Sequence, residues 1–386
     1  MSPAGRASVL LVQPYVPEYR IPLFELMQEY LDARGFDLKV AAGRPHADQV
    51  LRLDAVQQAP WMIPIRQTVF RVGQRDVIYK HARHTVRAVA PDLVILEQAI
   101  RNLETVELLV SRRRKSKARL AFWGQGKTYT EPPNFLRERI KQHLTHQVEW
   151  FFAYTAGGAK AVQGYGFPRE RMTVLNNSID TSQLRNDLLS VSPEEIRVFE
   201  ATHGLTPGKN ALFLGGVDER KGIPFLVEAS RFAAELDPGF RLLIGGDGNQ
   251  SPLVQKMEAE GAPVRHLGRL TGRHKAIAMR AAKVLAIPEW VGLVAVDSLA
   301  AGVPIITTQF HRHAPEFEYL HNGSNCLIVE HEPVAYGSAL VELLHNAKQR
   351  ERLEAGCRRD VRGLSIEEMA LRFTQGIEDW HKSPRR

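Results

Sequence analysis

Cysteine is scarce in this sequence: its 386 residues include only two, Cys326 and Cys357. Two cysteines cannot form a disulfide framework, and no Cys-x-x-Cys pair is present for zinc binding or thiol redox chemistry. This usage excludes the small disulfide-stabilised secreted proteins and is typical of a reducing cytoplasm.

Long hydrophobic runs are absent as well. The first residues, MSPAGRASVLLVQPY, lack the apolar stretch of about 7–15 residues and the cleavage site of a signal peptide. No run approaches the roughly 18 apolar residues of a membrane span. We therefore expect a cytoplasmic protein that does not cross a bilayer, and docking on the inner face of the membrane stays open.

The excess of basic charge is confined to one half of the chain. Residues 1–190 hold 27 Lys and Arg against 18 Asp and Glu, whereas residues 191–386 hold 24 against 25. This asymmetry predicts an acidic partner for the first half, either an anionic membrane surface or a phosphorylated substrate. Nucleic acid is disfavoured, because no aromatic residue is interleaved with the basic run as a stacking platform. The densest basic run, which is also compatible with a solvated helix face, comprises Arg112, Arg113, Arg114, Lys115, Lys117 and Arg119.

What the sequence does contain is a regular alternation of short apolar runs and amphipathic segments of helical length. Continuous apolar strands that alternate with helices are typical of parallel sheets covered on both faces. The predicted strands are 8–13, 36–42, 92–97, 119–124, 150–155 and 172–177 in the first half, and 211–216, 241–246, 264–268, 283–288, 304–308 and 326–330 in the second.

The strand pattern restarts near residue 210, after a polar stretch at 178–209 that we interpret as an interdomain linker. The prediction is an α/β protein of two doubly wound, Rossmann-like domains. Ligands of such sheets bind beyond the carboxyl ends of the strands, here in the cleft between the domains. The predicted bounds are 1–190 for the N-terminal domain, 191–365 for the C-terminal domain, and 366–386 for a last helix that packs back on the N-terminal domain.

The segment 283–305, KVLAIPEWVGLVAVDSLAAGVPI, is the most informative for chemistry. A buried strand ends at Pro288, Glu289 lies on the following turn, and a helix begins near Gly292. A glycine at a helix start lets an anion such as a diphosphate approach free backbone N–H groups. Asp297 follows Glu289 by eight residues, about two helical turns. Spacing alone leaves a second interpretation open, in which Glu289 caps the helix and Asp297 is a solvated helix residue.

This segment resembles the Glu-x7-Glu signature of the family 4 retaining glycosyltransferases, with Asp297 in the second acidic position. Further segments resemble the same family in the same order, and those of the N-terminal half resemble its bacterial surface-polysaccharide branch. The resemblance implies a GT-B fold, with a nucleotide-sugar donor on the C-terminal domain and the acceptor on the N-terminal one. The supporting segments are 13–25, 122–130, 151–180, 211–230, 241–253 and 302–330.

The resemblance also implies roles for residues of the donor site. Lys221 matches the lysine that binds the diphosphate, Glu289 the acid that contacts the donor sugar, and Asp297 the acid that holds the ribose hydroxyls. Gly216 stands where the family commonly has an arginine, and we take Arg220 as the candidate replacement. The remaining predicted donor contacts are the backbone N–H groups of Gly292 and Leu293 for the diphosphate, and Gly268, Arg269 and Leu270 for the nucleobase.

Two segments of the N-terminal half are predicted to face the reaction. In FWGQGKTYT, Gln125 stands where relatives often carry histidine; glutamine cannot act as a general base, so it would orient the donor or acceptor. A purely structural turn around Trp123 is the alternative. On the acceptor side we expect Tyr15, Glu18, Tyr19 and Arg20, although a plain proline-stiffened loop would look the same.

No metal or other cofactor is expected beyond the nucleotide-sugar co-substrate. No Asp-x-Asp dyad ends a strand in a setting suited to a divalent cation. His311 and His313 suggest a metal site with Glu316 or Glu318, but no third ligand with suitable spacing is evident.

The sequence thus predicts a metal-independent retaining glycosyltransferase that acts on a glycan or lipid-linked acceptor in surface-polysaccharide synthesis. The alternatives are transfer to a small metabolite, a GT-B nucleotide-sugar epimerase or hydrolase, and a degenerate scaffold without activity.

Overall fold

The computed structural model describes residues 5–45, 58–72, 75–99, 102–114, 118–129 and 135–385. Its contacts divide the chain into two compact units. The first unit comprises Met1–Ile179 and Ile366–Arg386, and the second comprises Asp180–Ser365.

The first unit is built on a seven-stranded parallel sheet of order β3-β2-β1-β6-β7-β8-β9. A separate antiparallel hairpin is formed by β4 and β5. The elements, in chain order, are β1 (Ala7–Gln13), α1 (Ile21–Asp32), β2 (Phe36–Ala42), β3 (Met62–Pro64), β4 (Gln67–Val72), β5 (Arg75–Lys80), α2 (Ala82–Val89), β6 (Leu93–Glu97), α3 (Leu103–Arg114), β7 (Arg119–Gly124), α4 (Phe135–His146), β8 (Trp150–Ala153), α5 (Ala156–Gly164) and β9 (Met172–Val174).

The second unit is built on a six-stranded parallel sheet of order β12-β11-β10-β13-β14-β15. Its strand order reverses between β10 and β13, which in such sheets is the point where ligands bind. The elements are α6 (Ser182–Ser190), α7 (Pro193–His203), β10 (Asn210–Leu214), α8 (Ile223–Leu236), β11 (Arg241–Gly245), α9 (Ser251–Ala259), β12 (Val264–Gly268), α10 (Gly272–Ala282), β13 (Val284–Ala286), α11 (Val294–Ala301), β14 (Ile305–Thr308), β15 (Cys326–Val329), α12 (Pro333–His345) and α13 (Ala347–Asp360).

The stretch 178–209 is not a linker, and the boundary at 190/191 was placed too late. The second unit begins at Asp180, and most of this stretch forms α6 and α7, which pack on α10. Leu184 and Leu188, one helical turn apart, are buried in the core of the second unit. The polar residues around them hid this apolar stripe from the sequence analysis.

The last helix, α14 (Ile366–Lys382), returns to the first unit and packs against α1. Its buried face carries Phe373 and Trp380, both fully buried. The Phe373 ring stacks on Phe152 of β8 with 4.5 Å between centroids, and it meets Trp123 of β7 edge-on at 5.2 Å. This helix therefore completes one side of the core of the first unit.

Among the described residues, no helix combines the length and the apolar character that a transmembrane span requires.

Because Phe373 fills this core, Phe373→Ala should lower the free energy of unfolding of the first unit by roughly 3–5 kcal/mol. Urea unfolding followed by tryptophan fluorescence measures the change. Leu371→Ala on the same helix is the matched control, because Leu371 is 42% exposed. Equal losses for the two variants would contradict the packing described for α14.

Candidate functional site

The carboxyl edge of the second sheet is formed by loops whose backbones touch directly. Gly215 and Gly246 have φ angles of 149° and 148°, and a β-carbon on Gly246 would overlap the carbonyl oxygen of Gly215. Val217 N–H donates to the Asp247 carbonyl at 3.0 Å, and Gln250 N–H donates back to the Val217 carbonyl at 3.0 Å. These contacts fix the loops after β10 and β11 against each other and leave Gly216 exposed on the surface.

Lys221 and Glu289 are brought together at this edge. The Lys221 ammonium donates to the Trp290 carbonyl at 2.9 Å. Gly222, with φ 65°, begins the turn into α8, and a β-carbon there would lie 2.7 Å from the Glu289 carboxyl carbon. Only glycine satisfies both the backbone angle and this close approach. The structure thus places these two predicted residues, 68 positions apart in sequence, beside one turn.

The turn that carries Glu289 leads directly into α11. Trp290 has a left-handed φ of 47°, which turns the chain sharply after the strand. Gly292 and Leu293 precede the first helical residue, Val294. Backbone N–H groups at a helix start lack acceptors within the helix and carry the positive end of its dipole. The predicted diphosphate contacts therefore lie at a helix start beside the turn of Glu289 and Lys221.

The Glu289 carboxylate is half-buried among basic groups. Burial raises its pKa above the ordinary value, and the nearby charge of Arg312 opposes that shift. Its Oε1 lies 3.5 Å from Nε2 of His331, whose Nδ1 is 3.0 Å from the Thr308 hydroxyl. The His331 ring stacks on Phe225 with 4.6 Å between centroids. Sequence analysis missed His331 and Arg312, because no motif distinguishes them from other loop residues.

His313 is a structural brace for this turn. It is 6% exposed and accepts a hydrogen bond from Val291 N–H at Nδ1 over 3.2 Å. Its Nε2–H donates to the Thr308 carbonyl at 3.0 Å. Burial lowers the pKa of His313 to about 4, so the ring is neutral at physiological pH. Both nitrogens are thus occupied, and no group of three metal-ligating side chains occurs among the described residues.

Two predicted donor residues have ionic partners of their own. Asp297, in the first turn of α11, is 8% exposed and pairs with the Lys275 ammonium at 2.6 Å. The Arg220 guanidinium pairs with Asp218 at 3.1 Å and lies 5.4 Å from the centre of the Trp290 ring. The charge of Arg220 is therefore already balanced by a neighbouring carboxylate.

The loop after β12 reaches the same edge of the sheet. Gly268 has φ 65°, and its carbonyl accepts from Gly246 N–H at 2.7 Å. Leu270 packs so closely on Gly245 that a β-carbon there would lie 2.5 Å from its Cδ1. Arg269 between them is exposed. The predicted nucleobase contacts thus adjoin the loops after β10 and β11.

In the first unit, Gln125 lies at the carboxyl end of β7 in a tightly held turn. Gly126 has φ 79°, and a β-carbon there would overlap the Gly158 carbonyl. Gly126 N–H donates to the Gln98 amide oxygen at 3.0 Å. Trp123 is 2% exposed, so the core role proposed for it is observed, while Gln125 is partly exposed at the strand end.

Two of the four predicted acceptor residues are buried. Arg20 is 5% exposed, donates to the Asn177 side-chain oxygen at 2.7 Å, and lies 5.1 Å from the centre of the Trp123 ring. Tyr15 is 8% exposed. Both side chains were predicted on the acceptor side, and the structure shows that little of either is accessible to a ligand. Glu18 and Tyr19 are exposed.

Arg119 does not belong to a basic surface. It is 5% exposed, pairs with Glu149 at 2.7 Å, and donates to the His381 carbonyl and the Ser383 hydroxyl at 3.1 and 2.9 Å. Its charge is neutralised inside the first unit, which corrects its assignment to the basic run. Arg112, Arg113 and Arg114 end α3, but their side chains lie outside the described set, as do residues Lys115 and Lys117 entirely.

The fold and the loops at this edge define the fold class of the protein. Two doubly wound parallel sheets in series, the second with a lysine and a helix start at its switch point, are the GT-B architecture. A solved structure of Anabaena Alr3699/HepE in complex with UDP aligns over 96% of this chain and 99% of its own, with a TM-score of 0.66 and 14% identity.

Sequence comparison finds glycosyltransferase relatives for part of the chain. Residues 208–346 match the family model described as Glycosyl transferases group 1. The matched residues lie in the second unit, and the GT-B fold of the whole chain agrees with the family that the motifs predicted. It is 35% identical over 163 residues to a phosphatidyl-myo-inositol mannosyltransferase of Mycobacterium leprae, which is 40% of this chain and 42% of that protein. It is 29% identical over 192 residues to a D-inositol 3-phosphate glycosyltransferase of Pseudarthrobacter chlorophenolicus, 46% and 44% of the two chains. The chain thus spans less than half the length of these curated relatives.

The buried neutral state of His313 predicts a pH dependence of stability. The unfolded chain takes up a proton near the ordinary pKa of 6.5, whereas the folded chain does so only near pH 4. Stability from this group is therefore complete above pH 6.5 and is lost as the pH falls toward 4, by roughly 3 kcal/mol in total.

Urea unfolding between pH 7.5 and 4.5 tests this prediction. His313→Asn, which keeps an acceptor toward Val291 but cannot titrate, should show a smaller loss over that range than the native protein. His311→Asn is the control, since His311 is exposed on the same loop. An unchanged pH dependence in His313→Asn would show that other groups cause it.

Proposed function

We propose that this protein is a retaining, metal-independent glycosyltransferase that moves a sugar from a nucleotide-sugar donor to a glycan or lipid-linked acceptor. The observation that carries the proposal is the meeting of Lys221, Glu289 and the start of α11 at the strand switch of the second sheet. The relatives named above are glycosyltransferases by name, which supports the same activity here.

The chemistry follows from charge. As the glycosidic bond breaks, the leaving nucleoside diphosphate gains negative charge, which fixed positive groups stabilise more in the transition state than in the bound donor. Lys221 and the helix-start amides of Gly292 and Leu293 supply such groups. This supply supports metal independence, because a divalent cation would otherwise neutralise the same oxygens.

The remaining roles are assigned by position. Glu289 accepts hydroxyl groups of the donor sugar, and Asp297 holds the ribose while paired with Lys275. Backbone groups of Gly268–Leu270 receive the nucleobase. Gln125, from the first unit, orients the reacting groups by hydrogen bonding, and Glu18 and Tyr19 are the acceptor-side residues that remain exposed.

The names of the relatives point to two kinds of acceptor. One relative is named for a phosphatidylinositol acceptor, which is a lipid, and the other for a small inositol phosphate. Both acceptor types suit the basic first half of the chain. A place in surface-polysaccharide synthesis rests on the motif resemblance alone.

Replacing either central residue should reduce sugar transfer. Lys221→Ala removes the fixed cation and Glu289→Gln removes the carboxylate, and each should lower kcat by roughly 10²- to 10³-fold. Lys256→Ala is the control, because Lys256 is 69% exposed on α9.

Donors are first found by a thermal-shift screen of nucleotide sugars with chelator present, and transfer or donor hydrolysis is then measured. Release of free sugar or an epimer without any acceptor would favour the hydrolase or epimerase. Donor binding without turnover would favour a scaffold, and activity lost in chelator would contradict metal independence.

Peripheral membrane docking, which we also propose, is supported by two exposed helix faces of the first unit. On α3, Leu103, Val106 and Val110 follow helical spacing and are 44%, 48% and 48% exposed. On α4, Phe135 and Leu136 are 77% and 67% exposed.

Both helices pack into the same buried cluster of the first unit, through Leu108 of α3 and Leu144 of α4, so their exposed faces belong to one side of the sheet. The basic residues at the end of α3 and the exposed Arg139 on α4 favour anionic lipid, at about 1 kcal/mol per basic residue near the surface.

The double variant Phe135→Ser/Leu136→Ser should reduce binding to vesicles containing anionic lipid by at least about 10-fold, because each side chain loses its apolar burial in the membrane. Co-sedimentation with vesicles measures this. Leu189→Ser is the matched control, since Leu189 is 87% exposed on the second unit. Unchanged binding of the double variant would exclude α4 as the docking surface.

A further inference from the structure

Arg312 lies in the loop after β14, beside the turn that carries Glu289. The loop is held there by its neighbour His313, which bonds Val291 on one side and Thr308 on the other. The charge of Arg312 acts on Glu289, and that of Lys221 acts on His313. Arg312 therefore belongs to the same group of side chains as the two central residues of the donor site.

The guanidinium of Arg312 is not bonded to a carboxylate, although the charge of Glu289 acts on it from beyond ion-pair distance. Its Nε is buried without a hydrogen-bond partner, and no carboxylate of the described residues lies within ion-pair distance. The guanidinium carbon lies 5.7 Å from the centre of the Phe310 ring. A half-buried guanidinium with a buried, unbonded nitrogen carries a desolvation cost that a bound anionic ligand would offset.

Other arginines of the molecule are arranged differently. Arg20 and Arg119 are buried with hydrogen-bonding partners, and Arg220 is paired with Asp218. Gly216, at the exposed end of the first loop, has no side chain to offer. Among the described residues at this edge, Arg312 is the arginine whose guanidinium N–H groups are available to a ligand.

We propose that Arg312 is an anion-binding residue of the donor site, which binds a phosphate or carboxylate group of the nucleotide sugar beside Lys221. The planar fork of arginine suits both groups, because each presents two oxygens in matching geometry. This inference rests on the proposed donor site. The two sources of the anion are the diphosphate, common to all donors, and an acid group on the transferred sugar.

The test is calorimetric binding of UDP, GDP, UDP-glucose and UDP-glucuronic acid to the native chain, Arg312→Ala and Arg312→Lys. For the ligands that the native chain binds, Arg312→Ala should weaken binding by roughly 10- to 100-fold, as expected for a charge-assisted hydrogen bond. Arg312→Lys should restore part of the loss, since it keeps the charge without the fork. Arg197→Ala, an exposed arginine on α7, is the control.

The pattern of losses identifies the anion. Equal weakening of nucleoside diphosphates and nucleotide sugars assigns Arg312 to the diphosphate, and weakening confined to UDP-glucuronic acid assigns it to an acid group on the sugar. Unchanged affinity in Arg312→Ala for ligands that the native chain binds would overturn the inference and leave the proposed function standing. A native chain that binds none of the four would overturn both. Arg312→Gln replaces Arg312→Ala if thermal unfolding shows that the latter does not fold.

Discussion

The contact between Gly246 and the Gly215 carbonyl is the constraint on which the candidate site depends. At that distance no side chain fits, so the loops after β10 and β11 lie backbone against backbone. Lys221 follows the first of these loops in sequence, and Gly246 N–H of the second loop donates to the Gly268 carbonyl. Gly222 is required for the same reason, because the Glu289 carboxyl group occupies the space that a β-carbon would need. The functional side chains Lys221 and Glu289 are thus positioned by glycines, which have no side chain.

Positive charge is used in two ways in this molecule. In the first unit, Arg20 and Arg119 are structural: each is buried, hydrogen-bonded and placed over an aromatic ring. At the edge of the second sheet, the charge of Arg312 acts on the half-buried Glu289 carboxylate, and Lys221 bonds the next residue, Trp290. The second unit has almost no net charge, so its local field comes from where these few cations lie. Net charge alone predicted an acidic partner for the other half of the chain, residues 1–190.

The apolar runs predicted every strand of both parallel sheets except β3, with ends that differ by at most three residues. The motifs predicted that Lys221 and Glu289 belong to one site. The hairpin of β4 and β5 was missed, because its alternating polar and apolar residues form no continuous run. The burial of Arg20 and Arg119 was not predicted either, for a different reason. A sequence shows that an arginine is present but not which distant residue it binds. In the structure Arg20 donates to Asn177 and Arg119 pairs with Glu149. The same limit hid His331 and Arg312.

The return of α14 to the first unit has a consequence for biosynthesis. The ribosome completes the whole second unit before it makes the helix that covers Phe152 and Trp123. During that interval an aromatic face of the first unit has no native cover, whereas residues 180–365 already form a continuous segment with a core of their own. The nascent chain therefore passes through a stage in which the later-made half is able to fold first, and the earlier-made half waits for its last helix.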